Sequence, residues 1–586
     1  MKGARRTTPK ATRKTATKAA ARQANSSLRW RFMLVFWAGC ACVLVGRAVQ
    51  LQVVQHDFLA NQGDIRNLRV EPVAAHRGVI QDRAGRPLAV STPVTTLWAN
   101  PGEALEHQEQ WARLGNNPII DSRAFASRVN SHKGKEFIYL ARGLAPEQAQ
   151  TVLAKQVPGI HPLTEYRRYY PAGEVTSHLV GFTDIDERGQ EGVELAFEER
   201  LSGEPGRKKV VRDLLGRVIQ DIEVLDPAAP GEDITLSLDL RLQYLAYKEL
   251  LSATRRFKAK GGSAVVLDIK TGEILAMVNQ PAYNPNNRGN LDTGSLRNRA
   301  VTDLFEPGST IKPFTVAAAM EQGLVTPTTS INTHPGYLRV GSKTIRDHRD
   351  YGVIDVTTVL TKSSNVGVSK LALSMDAMVL PGYLERFGFG QRTGIDYPGE
   401  SDGMLPLRAR WRDVERAALS YGYGISTTAL QLAQAYAILA NDGRRVPLSL
   451  LKVDEPPKGE QVIAPASAQS IVRMLETVVS VEGTASRAQI SGYQVAGKTG
   501  TVHKVTANGY ADDRYIGLFA GIAPASNPRI AAVVVIDDPR GESYYGGLVA
   551  APVFSAIVGG VLRTLHVPPD KTDGLIAGNL DGEDAT

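Results

Sequence analysis

The longest apolar run of the chain lies close to its N-terminus. Residues 32–46 are fifteen positions without a charge, and apolar character continues past Arg47 through Val49, Leu51, Val53 and Val54. Trp30, Arg31 and Arg47 stand near the ends, where they can reach a headgroup layer, so residues 32–54 predict one transmembrane helix. A cleaved signal peptide is the alternative, but no small-x-small site follows Arg47. A lipoprotein site fares no better, because Trp37 stands where a small aliphatic residue is wanted before Cys40.

From Asp57 to about Pro230, short β-like runs alternate with Gly and Pro turns, as at 77–85 (RGVIQDRAG) and 171–173 (PAG). Residues 189–194 (GQEGVE) lead into an amphipathic helix expected to end near Gly203. Asp82, Arg83 and Glu194 read as structural pairs rather than an acid/base couple. Residues 226–231 (DPAAPG) read as a linker.

Beyond it the pattern predicts a strand over 234–238, a helix over 241–254, and a hairpin of 263–268 with 273–278 turning at Lys270-Thr271-Gly272. Helical periodicity dominates from Ser309 to about Ile438. Strands return at 494–501, 515–522 and 530–536, and a last helix covers 552–565. Strands at both ends with helices between predict an α/β (α+β) domain over 231–566, preceded by a β-rich pedestal over 57–230. Residues 567–586 read as a loose tail.

Charge changes this picture in one respect. Residues 1–31 carry ten Lys and Arg and no acid, and the first acidic residue is Asp57. This basic head reads as a disordered tail through residue 27, and it should stay in the cytoplasm with everything after Gln55 outside. Without it the formal net charge of +8 falls to nearly zero, so the basicity is no argument for nucleic acid. The two cysteines, Cys40 and Cys42, sit inside the apolar run and form neither a disulfide framework nor a zinc pattern. Ten scattered histidines show no metal spacing, and no metal or other cofactor is expected.

The candidate chemistry centres on residues 306–313 (EPGSTIKP). A Pro-Gly turn followed by an apolar helical run places Ser309 at a helix start, where free N–H groups and the positive dipole end favour a developing anion. Lys312, three residues on, shares a helix face with Ser309. A lysine shielded from water beside another cation loses basicity and can take a proton from serine.

A lone Ser-x-x-Lys recurs by chance, and two further segments give it weight. Residues 361–367 (TKSSNVG) fall between helical runs. Ser363 is placed there to relay a proton towards a leaving nitrogen, and Asn365 to bind a substrate amide. Residues 495–501 (VAGKTGT) read as a strand whose Gly500 lets another backbone approach. Lys498 supplies the second positive charge, and Thr499 and Thr501 the hydroxyls for a carboxylate. Alternation puts Lys498 and Thr499 on opposite faces, so this strand must be an edge for both to line one cleft, and an edge suits a peptide that adds as a strand.

Ser-x-x-Lys, Ser-x-Asn and Lys-Thr-Gly in this order resemble the set shared by penicillin-binding proteins and serine β-lactamases. The chain is similar to class B penicillin-binding proteins over most of its length beyond residue 56. Residues 77–88, 168–173 (RYYPAG), 178–182 (HLVGF), 268–285, 421–424 (YGYG) and 544–547 (YYGG) resemble family segments. Asn365 resembles the division-type enzymes, since elongation-type enzymes usually carry Asp there. Thr499 replaces a serine found in some relatives.

The resemblance implies a serine β-lactamase-like transpeptidase fold and acyl transfer. Ser309 attacks the carbonyl between two terminal D-alanines of a peptidoglycan stem peptide, with Lys312 as base and the N–H groups of Ser309 and Thr501 as oxyanion hole. D-Ala leaves, and an amine of a neighbouring stem forms the cross-link. β-Lactams acylate the same serine. Tyr423 and Tyr545 are either cleft-lining or core aromatics. The family also implies a bacterial inner-membrane protein with its catalytic domain in the periplasm at the division septum, docked through its helix to a polytopic glycosyltransferase and other division proteins. Three alternatives are weaker. A β-lactamase needs neither anchor nor pedestal, a D,D-carboxypeptidase differs in using water as acceptor, and a non-enzymatic scaffold has no use for intact motifs. Nothing between residues 57 and 230 resembles a bifunctional relative's glycosyltransferase domain.

Overall fold

The computed structural model describes residues 16–57, 68–73, 75–212, 218–289, 292–406, 408–506 and 509–571. An α-helix runs over Ala16–Val49 and continues as a π-turn over Gln50–Val54. Within it Leu28–Val54 has a mean hydropathy of 2.0 with none of its most apolar stretch buried against the rest of the chain. It is the one helix among the described residues long and apolar enough to cross a membrane. The helix begins earlier than the sequence pattern indicates. Residues 16–27, expected to be disordered, continue the same helix, which their alanine-rich composition favours. Residues 1–15 lie outside the described part.

The pedestal is built on the long strand Pro87–Ala99. It pairs antiparallel with Ile80–Gln81, Ile138–Leu144 and Ile160–Tyr169. Leu97, Trp111, Phe125, Leu140 and Ile160 form a core separate from the main one. A second sheet of Leu68–Val73, Gly206–Arg212 and Val218–Asp226 has Gly206–Arg212 at its centre. The helix after Gly192 is two pieces, Gly192–Ala196 and Glu198–Leu201, broken at Phe197.

The presumed linker is not a free linker. Gly231 N–H donates to His76 O at 2.9 Å, and a Cβ on Gly231 would lie 1.8 Å from Leu201 O. Only Ile234–Thr235 of the expected strand 234–238 is a strand, and it pairs parallel with Ile80–Gln81 of the pedestal. Two side-chain links cross the same boundary: Arg83 Nη2 to Glu273 Oε2 at 3.2 Å, and Leu240 N–H to Asp82 Oδ2 at 3.1 Å. Asp82 and Arg83 are thus structural, and they hold two domains together.

The C-terminal domain is built on a five-stranded antiparallel sheet in the order Ile274–Gln280, Gly261–Asp268, Ile530–Asp537, Gly509–Ala523, Ala496–Thr506. Strands Gly261–Asp268 and Ile274–Gln280 are buried at every position, and Ile530–Asp537 at all but its last. Such strands read as apolar runs because both sheet faces are covered. Leu240–Arg256 packs on Ile274–Gln280, Ala551–Thr564 on Ile530–Asp537 and Leu240–Arg256, and the almost wholly buried Ala429–Ala440 on the central strands. Lys312–Glu321, Asn365–Ser374, Asp413–Ser420 and Pro465–Val479 complete a helical half beside the sheet.

Three local features add detail to the expected pattern. Within the stretch from Ser309 to Ile438, where helices dominate as expected, Ser330–Asn332 pairs with Val353–Asp355, and Tyr337–Val340 with Lys343–Arg346. These strands of three or four residues are too short and too exposed to impose an alternation. The strand expected over 494–501 runs over Ala496–Thr506, and the one expected over 515–522 runs over Gly509–Ala523, the two pairing as one long hairpin. The expected loose tail is pinned at its start. Tyr493 Oη donates to Val567 O at 2.7 Å, and Asp570 accepts from Gln494 N–H at 2.7 Å and Ser526 Oγ at 2.6 Å. Residues 572–586 lie outside the described part.

Candidate active site

Ser309 stands in a single 3-10 turn, Gly308–Ile311, that feeds the helix Lys312–Glu321. Gly308 has φ +52°, and its N–H donates to Gly422 O at 3.2 Å. A Cβ on Gly422 would lie 2.2 Å from Gly308 O, so segment 421–424 is pressed against the turn backbone to backbone. Thr310 Oγ1 donates to Pro307 O at 2.7 Å and Tyr436 Oη to Thr310 O at 2.9 Å. These bonds fix the turn and leave Ser309 as its presented hydroxyl.

Lys312 is wholly buried at the first position of its helix. Its amine donates to Ser363 O at 2.6 Å, Ser363 Oγ at 3.0 Å and Asn365 Oδ1 at 2.8 Å. The contact to Ser309 is made by Ser363, whose Oγ donates to Ser309 Oγ at 3.1 Å. Lys312 and Ser309 are therefore joined through a second serine. Burial pushes the Lys312 amine well below its ordinary range, and the charge of Lys498 pushes it further, while Asp347 opposes both.

Ser363 has a positive φ of 59°, a strained conformation for a non-glycine residue. It follows the helix Val356–Thr361 in the left-handed geometry that commonly ends a helix. Ser364 then caps Asn365–Ser374, its Oγ accepting from Gly367 N–H at 2.8 Å. Asn365 is already engaged at both ends of its amide, since Nδ2 donates to Arg346 O at 3.0 Å while Oδ1 holds Lys312. Asp347 underpins the loop. Its carboxylate accepts from Ser364 Oγ at 2.6 Å, Asn365 N–H at 2.6 Å and Val366 N–H at 3.0 Å. Nothing in the sequence around Asp347 marks it, because its partners are presented by a different segment of the fold.

Strand Ala496–Thr506 is the edge of its sheet. Lys498 is fully buried, and burial alone lowers its amine to about 7. Its hydrogen bond to Thr499 O, at 3.5 Å, is a weak one. Thr499 Oγ1 lies 3.0 Å from Thr484 Oγ1, a partner the sequence does not signal, and Thr501 Oγ1 accepts from Gly546 N–H at 2.9 Å. A Cβ on Gly500 would meet Leu518 Cγ at 2.8 Å and Pro307 O at 3.1 Å. That contact places 500–502 directly against the Ser309 turn, with Thr501 beside it.

The two tyrosines separate. Tyr423 is half-buried, its ring 5.5 Å from Tyr421 and 6.1 Å from Tyr510. Tyr545 is 48 % exposed and stacks on Tyr544, which stacks on Tyr515, so it is no core aromatic. Among the described residues, no group of three His, Cys, Asp or Glu is arranged to hold a metal ion.

A family model of the penicillin-binding protein transpeptidase domain matches residues 262–559, and one of the penicillin-binding protein dimerisation domain matches residues 72–236. The chain is 46 % identical to the peptidoglycan D,D-transpeptidase FtsI of Escherichia coli K12, covering 93 % of each. It is 43 % identical to the probable peptidoglycan D,D-transpeptidase PbpC of Pseudomonas aeruginosa, over 92 % of this chain and 96 % of that one. Among solved structures, penicillin-binding protein 3 of Mycobacterium tuberculosis complexed with aztreonam is 28 % identical with a TM-score of 0.67, covering 86 % of this chain and 98 % of its own. The TP domain of Burkholderia pseudomallei penicillin-binding protein 3 is 41 % identical with a TM-score of 0.53, over 57 % of this chain and 98 % of that domain. With both domains matched in order and near-full-length relatives at this identity, the chain belongs to the penicillin-binding proteins that join a dimerisation domain to a transpeptidase domain.

Proposed function

We propose that this protein is a peptidoglycan D,D-transpeptidase of the division type, with Ser309 as nucleophile and Lys312, through Ser363, as its base. The observation that carries the residue roles is the line Lys312 Nζ, Ser363 Oγ, Ser309 Oγ, ending on a lysine too buried to hold its proton firmly.

Ser309 Oγ attacks the carbonyl of the penultimate D-Ala. Its proton passes to Ser363 Oγ, whose own proton passes to the Lys312 amine. The oxyanion forms between the N–H groups of Ser309 and Thr501. Collapse breaks the peptide C–N bond, the proton returns by the same serine to the leaving nitrogen, and D-Ala departs. An amine of a second stem peptide then attacks the ester, and Ser309 recovers its proton as the cross-link forms. Lys498 with the hydroxyls of Thr499 and Thr501 holds the terminal carboxylate. Asn365, already bound to Lys312, orients the base as well as facing substrate. A β-lactam acylates Ser309 and blocks the second step.

The N-terminal helix is a single-pass anchor. We place the basic head in the cytoplasm and the catalytic domain in the periplasm at the septum, which the charge asymmetry and the relatives support. A lone helix of this kind is a docking element for a polytopic glycosyltransferase. The pedestal spans 57–230 and the catalytic domain 231–566, a division that the two family-model matches support.

The test is labelling of the detergent-solubilised protein with a penicillin, followed by peptide mass mapping. An adduct on Ser309 that is absent from Ser309→Ala and strongly slowed in Lys312→Ala supports the reading. A folded protein that takes no label, or takes it elsewhere, removes it in favour of a scaffold.

A further inference from the structure

Glu306 lies three residues before Ser309, just ahead of the Gly308–Ile311 turn, and the acyl-transfer steps make no use of it. Its Oε1 accepts two hydrogen bonds, from Gly424 N–H at 2.9 Å and from the Tyr510 hydroxyl at 2.9 Å. Its Oε2 is buried without a hydrogen-bond partner among the described residues. Tyr510 belongs to the returning strand of the 496–523 hairpin, opposite Val505, and its ring faces Tyr423.

One carboxylate oxygen therefore ties together three segments far apart in sequence: the nucleophile turn, the 421–424 segment and the far end of the edge hairpin. The near end of that hairpin is already set by the packing of Gly500 on Pro307 and Leu518. The ladder with 515–522 holds the strand as far as His503 and Lys504 pairs with Asp537; past the register shift that follows His503, Glu306 supplies a further hold, on Tyr510 opposite Val505. A half-buried carboxylate with one unpaired oxygen is a costly clamp compared with apolar packing, so stability alone does not account for it.

We infer that Glu306 is a positioning residue for acyl transfer: by holding Tyr510 it fixes the orientation of the edge strand, and with it Thr501, relative to Ser309. Resting on the transpeptidase reading, it makes Glu306 and Tyr510 one functional unit. The unit acts on the alignment of the attacked carbonyl and touches no reacting atom.

The test is a double-mutant cycle in the full-length, detergent-solubilised protein. Acylation by a fluorescent penicillin is followed across a concentration series, so that binding and the acylation step are resolved, with melting measured in parallel. Tyr510→Phe deletes one oxygen and should slow the acylation step about tenfold, within the range expected of small misalignments. Glu306→Ala should slow it at least as much, the double variant should be no slower than Glu306→Ala, and Glu306→Gln, which keeps the accepting oxygen, should restore most of the rate. Tyr510→Phe acylating at the wild-type rate, or a double variant losing the product of the two single effects, overturns the inference. If Glu306→Ala does not fold, Tyr510→Phe decides alone. A wild-type protein that takes no penicillin fails earlier, at the transpeptidase reading itself.

Discussion

Ser363 Oγ donates to Ser309 Oγ at 3.1 Å while lying 3.0 Å from the Lys312 amine. The sequence spacing suggests that Lys312 reaches Ser309 directly from the same helix face, but the amine is turned towards Ser363 and Asn365. Ser363→Ala should then cost acylation about as much as Lys312→Ala, roughly 10² to 10⁴-fold for a lost proton-transfer partner. The double variant should be little worse than either, because groups that act as one unit are not additive. The measurement is the second-order rate of penicillin acylation. A Ser363→Ala variant near the wild-type rate would show direct transfer to Lys312.

The two buried lysines give the reaction a pH signature. Lys312 must be neutral to accept a proton, so acylation should rise with pH along a limb whose apparent pKa is below the ordinary lysine value of 10.5. Lys498, lowered to about 7, helps only while charged, so its loss of a proton should give the falling limb. The bell belongs to the coupled pair. Lys498→Met should abolish the falling limb and weaken binding of ligands that carry a carboxylate.

The same shift has a stability consequence of opposite sense to a salt bridge. Between about 7 and 10.5 an unfolded Lys498 holds its proton and the folded one does not, so stability rises with pH there. The penalty is full below about 7 and is relieved as pH climbs towards 10.5, at up to about 1.4 kcal/mol per pH unit. Denaturant unfolding of wild type and Lys498→Met at several pH values between 7 and 10 should show the difference in slope. Parallel slopes would mean that the folded Lys498 keeps its proton.

Asp347, outside the three motifs, should affect both stability and rate. It accepts three hydrogen bonds at the start of the helix that carries Asn365. Asp347→Ala strands two backbone donors and should cost about 1–3 kcal/mol. It should also depress acylation by letting Ser363 and Asn365 drift from Lys312. Asp347→Asn, with one acceptor oxygen retained, should lie between. A variant that loses stability but acylates normally would limit Asp347 to a capping role.

What could be read from the chain and what could not divide along one line. Ser309 with Lys312, Ser363 with Asn365, and Lys498 with Thr499 and Gly500 are each neighbours within a single turn or strand, so spacing alone groups them. The edge position of the strand follows too, from the need for Lys498 and Thr499 on opposite faces to line one cleft, and the sheet order has it there. Asp347, Thr484, Glu306 and Tyr510 meet their partners only through the tertiary fold. Asp347 is presented from the short hairpins of 330–355, whose strands are too brief for any periodicity. The pinned start of the tail depends on Asp570 reaching Gln494 and Ser526, a contact that composition does not encode.

Gly500 should be intolerant of even one methyl group. Ala at this position would place a carbon 2.8 Å from Leu518 Cγ and 3.1 Å from Pro307 O, between the edge strand and the nucleophile turn. Relief requires the strand to move away from Ser309. A displacement of about 1 Å there can cost about 10²-fold in rate. Gly500→Ala should therefore acylate about a hundredfold more slowly. Its melting temperature should fall as well, but less than the rate, because Leu518 is fully buried and yields only in part. Equal losses of rate and folded fraction would point to misfolding instead.

The pedestal carries a prediction of the opposite kind, stability without chemistry. Glu194 is fully buried between Arg77, at 2.8 Å, and Arg168, at 2.7 Å, and Arg77 also reaches Glu198 at 2.7 Å. Its partners come from the 77–88 and 168–173 segments, so the family signatures of the pedestal meet in one ion cluster. Removing the carboxylate leaves Arg168 buried without a carboxylate partner and Arg77 with Glu198 alone, a loss of about 3–5 kcal/mol. For a domain of this size that corresponds to a melting temperature lower by about 10 °C. Glu194→Ala should show that loss, and below its transition it should still acylate at the wild-type rate, since the cluster touches neither Ser309 nor the edge strand. A slowed acylation in the folded variant would mean that the pedestal, through Arg83–Glu273 and Asp82–Leu240, also governs the geometry of the catalytic domain.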